Sequence, residues 1–179
     1  NQFSYGGPPP SYPYSDEIPP AVSMFSDVGA TWGIAYQRTA GLIWNSAFIR
    51  GHAGLGPKGL GGLYVYDTTG NPVASFDLVT AKGLTLKAPA DDYSDLARDL
   101  LDTDYTPPQP KQLSVDIPGF KGVGKAGIGD IDISVDQRNL FLTNLYERKI
   151  QMMPIGGTAA APTLGAVTSW SVSDGHTCS

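Results

Sequence analysis

An all-β fold with one minor helix is what the sequence predicts, and three observations carry that reading. Runs rich in aromatic and β-branched residues recur between turns containing Gly, Asn and Pro, the pattern of short antiparallel strands. A strand–turn–strand order occurs twice. Charge is sparse at 16%, while Gly at 22 and Pro at 15 are abundant, a mixture that suits many tight turns. Repeated four-stranded antiparallel units mark a β-propeller. The expected fold is propeller-like, with about two four-stranded blades in a partial or intermolecularly completed ring.

The elements follow in chain order. NQFSYGGPPPSYPYSDEIPP (1–20) stands apart, and its prolines exclude it from a central strand. An extended arm of polyproline II character is expected there. It is either a linker or an assembly arm that docks on a neighbouring subunit through Tyr5, Pro8, Pro9, Pro10, Tyr12 and Tyr14. The remainder, 21–179, is expected to be one propeller-like β domain.

ATWGIAY (30–36), LIWNSAF (42–48), LYVYD (63–67) and VASFDLV (73–79) read as the strands of a first unit. A Gly-rich loop, RGHAGLGPKGLGG (50–62), interrupts them. SDLARDLLDTD (94–104) reads as an inserted helix, with Ser94 as N-cap and Leu96, Leu100 and Leu101 as its apolar face. IGDIDISV (128–135), LFLTNLY (140–146), KIQMMPI (149–155) and AVTSWSV (166–172) read as a second unit, with GGTAAAPTLG as a spacer. WGIAYQRTAGLIWNSAF aligns with GDIDISVDQRNLFLTNLY, and a long insertion between them sets the period at roughly 100 residues. Ile34, Leu42, Trp44, Ile131, Ile133, Leu140 and Leu142 are expected to share a core.

GATWGIAYQRTAGLIWNSAFIRGHAGLGPKGLGGLYVYD resembles a segment of large bacterial cell-surface proteins, in a propeller-like N-terminal region that precedes serine-aspartate-repeat B-like repeats. IGDIDISVDQRNLFLTNLYERKIQMMPIG resembles the second blade of that region. The resemblance spans residues 28–178, and its most specific element is Arg50-Gly51-His52 with Gly54, Gly56 and Pro57. It implies a surface or adhesive role, no catalytic residues, and further blades beyond this chain.

Charge and composition exclude several function classes. The net charge is −5 with scattered basic residues, so nucleic acid is not an expected partner. No apolar run is long enough to span a bilayer. The chain begins at Asn1 and is expected to be a processed or truncated product. Its single cysteine, Cys178, is either a reactive thiol or one whose disulfide partner lies in another chain or in sequence outside this one.

Few residues converge on chemistry. Arg50 and His52 could bind an anion, or could cap carbonyls in a shaped loop. The loop lacks the G-K-[ST] ending of a phosphate loop. Asp130 and Asp132 lie on one face of a strand and could ligate calcium, or could serve blade pairing. Trp32 and Trp44 could bind a ligand, although core packing is the simpler use of strand tryptophans. His176 and Cys178 are too few for zinc. There is no N-x-[ST] sequon, and O-linked sugar stays open.

These readings favour a non-catalytic extracellular or cell-surface structural and adhesive module, possible subunit of a fibre or filament. Its expected partners are other copies of itself, other surface proteins, or glycans. A carbohydrate- or protein-binding propeller is the alternative. A propeller hydrolase or lyase comes third, because no acid–base set can be assembled.

Overall fold

The computed structural model describes residues 23–100 and 116–172. The proposed arm (Tyr5, Pro8, Pro9, Pro10, Tyr12, Tyr14), residues 101–104 and the His176/Cys178 pair lie outside the described residues.

The described chain is mostly β, in two antiparallel sheets. The first is the meander β1 (Thr31–Gln37), β2 (Leu42–Ala47), β3 (Gly62–Asp67) and β4 (Pro72–Asp77). The second contains β5 (Ile128–Ile133), β6 (Asn139–Asn144), β7 (Lys149–Thr158), β8 (Ala161–Leu164) and β9 (Thr168–Ser171). Strand β7 pairs with β6 along one edge and is long enough to serve two partners along the other. Its first half pairs with β9 and its second half with β8. Strand β8 corrects the expected spacer: Ala161 N–H donates to Thr158 Oγ1 at 3.1 Å and closes the hairpin that pairs Ile155 with Leu164.

The two sheets repeat one another closely. Each first strand carries one extra residue against its neighbour, a β-bulge. Thr31 opposes Ala47 and Ile34 opposes Asn45; Ile128 opposes Asn144 and Ile131 opposes Leu142. Ile128 follows Thr31 by 97 positions, and Ile131 follows Ile34 by the same 97. Pairing carries the correspondence outward. Trp44–Val65–Ala74 matches Phe141–Met152–Thr168, and Leu63–Phe76 matches Ile150–Trp170. Strand β9 is therefore the fourth strand of the repeated unit, and β8 is an addition to it.

The sheets stack through unlike faces. From the first sheet, Ala35, Leu42, Trp44, Leu63 and Val65 enter the shared core; from the second come Ile128, Ile131, Leu140, Leu142 and Met153. Strands β1 and β5 run side by side in the same direction. Gln37 Nε2 donates to Gln137 O at 3.0 Å, and Arg38 N–H to Gln137 Oε1 at 2.7 Å. Trp44 is fully buried, its ring stacked on Phe76 at 6.2 Å and its N–H directed at Gln37 Oε1.

Gly33 sits where the two inner strands come closest. A Cβ there would lie 2.8 Å from Ile131 N and 2.6 Å from Ser46 Oγ. Gly33→Val should therefore cost ~1–3 kcal/mol by forcing the sheets apart, measurable by urea unfolding.

One expected core residue is misplaced. Ile34 is 64% exposed. Strand alternation puts Gly33, Ala35 and Gln37 on the core side of β1 and sends Trp32, Ile34 and Tyr36 outward. Ile34 matches Ile131 in the repeat, but Ile131 packs on the first sheet and Ile34 has no sheet beneath it among the described residues. Ile133 is half-buried, and the other five named residues are buried.

The helices are short: α1 (Phe25–Val28), α2 (Leu78–Lys82) and α3 (Ile117–Gly122). The expected helix from 94 is one turn within the described residues. Ser94 does cap it, accepting from Ala97 N–H at 3.2 Å. Asp99 then takes φ 54, and Leu100 N–H returns to Asp95 O, which ends the turn. Leu96 is exposed, and the segment instead buries Tyr93 and Arg98. Helix α3 was not anticipated from its Gly and Pro content. Asp116 caps it by accepting from Gly119 N–H, and Pro118 occupies the first turn, where a missing N–H costs nothing.

Candidate functional site

Two features stand out: a loop pinned by a buried ion pair, and the outward faces of the two sheets.

The loop that follows β2 begins at Arg50. Arg98, with no exposed surface, donates from Nε to Asp116 Oδ1 at 3.1 Å and from Nη2 to Asp116 Oδ2 at 2.6 Å. Nη2 also donates to Arg50 O at 2.7 Å. Asp116 in turn accepts from His52 N–H and Gly119 N–H, both at 2.8 Å. These bonds, led by the Arg98 guanidinium, hold the Asp116 carboxyl down at about 2. One Arg98 nitrogen, Nη1, has no hydrogen-bond partner among the described residues. Asp95 grips the loop further on, accepting from Leu55 N–H.

The glycines of this loop allow a backbone crossing. Residues 28–29 run directly over 54–56, and a Cβ on Gly56 would lie 2.4 Å from Val28 C and from Tyr64 Oη. The most specific element of the sequence is thus built for close packing.

Arg50 and His52 stand at the start of this loop. Their side chains are exposed. It is the backbone of both residues, the Arg50 carbonyl and the His52 N–H, that the ion pair holds. His52 adopts φ 59 to do so. Sequence reasoning missed Arg98 and Asp116. Their signals were a lone Arg in an acidic segment and an Asp two residues before Pro118.

The outward face of the first sheet carries Trp32, Ile34 and Tyr36, which are 65%, 64% and 49% exposed. Trp32 leans on Phe48 at 5.6 Å between ring centroids. Further across that face, Ala47, Tyr64 and Tyr66 are covered by Val28 and Leu55. The outward face of the second sheet carries half-buried Phe141 and Met152 beside exposed Ile150 and Trp170. Core packing therefore describes Trp44 but not Trp32 or Trp170.

Asp130 and Asp132 share this second outward face and are exposed. Each carboxylate turns back on its own strand, accepting from Ile131 N–H and Ile133 N–H at 2.9 and 2.7 Å. Among the described residues no third carboxylate, His or Cys joins them into a metal-binding group. A shallow depression of about 270 Å³ lies between Tyr93, Ala97, Ile117 and Lys121, open to solvent. No helix of the described residues is long and apolar enough to cross a membrane.

No protein-family model matches the chain, and no solved structure matches it. Colossin-D of Dictyostelium discoideum is 28% identical over 114 residues, which is 63% of this chain. The matched region is 11% of Colossin-D, so the chain corresponds to a small part of that protein.

Proposed function

We propose that the chain is a non-catalytic structural and adhesive module of an extracellular or cell-surface assembly, organised as a partial propeller of two stacked units. The observation that carries this reading is the constant 97-residue offset between sheets that stack through unlike faces. Repetition by one rotation or translation, front onto back, is how propeller blades succeed one another. The low content of charge supports the outside location. Labelling intact source cells with antibody against the chain tests the proposal. Label on the exterior, tracking continuous structures by electron microscopy, is expected; label confined to the interior would overturn it.

A second reading, recognition of carbohydrate, is favoured by Trp32 and Tyr36, exposed aromatic rings on one face. A glycan array probed with the chain and with Trp32→Ala separates the two: the structural reading expects no binding that depends on Trp32.

A further inference from the structure

We propose that the chain associates head to tail with a second copy of itself, the outward face of its second sheet docking on the outward face of the other copy's first sheet. This rests on the stacking reading above and names the surfaces that would perform it.

The contact between the two sheets within one chain is the template. One side of it is Trp44, Leu63, Val65 and Phe76, and the positions matching these are Phe141, Ile150, Met152 and Trp170. These four positions stay apolar, while core-facing Ala35 and Leu42 are matched by Asp132 and Asn139, and the second occurrence of the face points outward. The other side is Ile131, Ile133, Leu140, Leu142 and Met153, and the matching positions are Ile34, Tyr36, Ile43, Asn45 and Tyr66. Ile34 and Tyr36 are exposed and Ile43 is half-buried, whereas Asn45 is polar and Tyr66 lies under Val28 and Leu55. Along β1 and β2 the first sheet's outward face thus repeats part of the apolar surface that the second sheet turns to the core. Contiguous exposed apolar surface of this kind marks an interaction site.

The inner strands differ from the template. Asp130 stands where Gly33 stands, and Asp132 where Ala35 stands. Gly33 is the point at which β1 and β5 tolerate no Cβ. The inner strands of two copies are therefore held further apart than β1 and β5, and the contact is made by the larger side chains, Phe141, Ile150, Met152 and Trp170 of one copy against Ile34, Tyr36 and Ile43 of the other. Because the two docking faces are unlike, the association is heterologous and extends until a face is blocked.

That asymmetry supplies the test. Ile34→Asp spoils the first face and Trp170→Asp the second; both side chains are substantially exposed, so folding should survive, as circular dichroism would record. In sedimentation velocity the full chain should gain mass with concentration. Each variant alone should run as a monomer. An equimolar mixture should form a dimer and stop there, since one good face meets one good face and the other two are spoiled. A full chain that stays monomeric, a single variant that still assembles, or a mixture that fails to dimerise would each overturn the proposal. Any of these outcomes leaves the surface role to be judged separately by cell labelling.

Discussion

Arg98→Ala should unfold the chain at lower urea by ~3–5 kcal/mol, the cost of leaving a buried partner charge uncompensated. The loss reaches beyond the ion pair. Asp116 would keep its backbone donors but lose the guanidinium, and the Arg50 carbonyl would lose its donor. The loop that crosses beneath residues 28–29 should loosen with it. Replacing both partners, Arg98→Met with Asp116→Leu, should cost less than the sum of the two single changes, because no lone charge remains. Acid provides an independent readout. The Asp116 carboxyl is held near 2 in the folded chain, below the ordinary value of about 4. Its contribution is present in full above that ordinary value and is lost as pH falls through about 2. It amounts to something on the order of 2 kcal/mol. Asp116→Asn should remove this part of the acid limb, leaving a flatter pH dependence at lower overall stability.

Trp44→Ala should be comparably destructive, at ~3–5 kcal/mol, while Trp32→Ala should cost less than about 1 kcal/mol. Both residues are strand tryptophans in adjacent strands. Trp44 has no exposed surface and sits between the sheets, stacked on Phe76 and bonded to Gln37. Trp32 is 65% exposed. Denaturation curves of the two variants, measured side by side, check the contrast. Equal costs would mean that the two faces of the first sheet have been exchanged.

Much of the architecture was legible because strands announce themselves locally. The strand–turn–strand alignment of WGIAYQRTAGLIWNSAF with GDIDISVDQRNLFLTNLY has the offset found in the sheets. Which face of each strand is buried was harder to read. Ile34 and Ile131 look alike in sequence and occupy matching positions, and only the stacking order gives one a neighbour and leaves the other open. Periodicity identifies a face but not what lies against it. Strand β8 was hidden in an Ala- and Pro-containing stretch of weak strand propensity, where pairing with a long β7 decides the structure.

The pinned loop was half legible. Its glycines marked a special backbone, and Arg50 and His52 drew attention through their side chains, but the hold on their main chain had no signal in the sequence. The residues that bind it, Arg98 and Asp116, come from segments far along the sequence. Arg98 lies in a stretch whose leucines suggested a longer amphipathic helix, and Leu96 in fact points to solvent. An ion pair formed across 18 residues has no local periodic signature.

The stacking of unlike faces is the claim on which the rest depends, and an isotope-edited NOESY spectrum of the Trp170→Asp chain tests it most directly. Cross-peaks should join the Gly33 α-protons to the Ile131 side chain, and the Trp44 ring to Phe76, with none joining Ile34 to any residue of β5 or β6. Contacts from Ile34 to Ile131 or Leu140, with Gly33 free of them, would contradict the account.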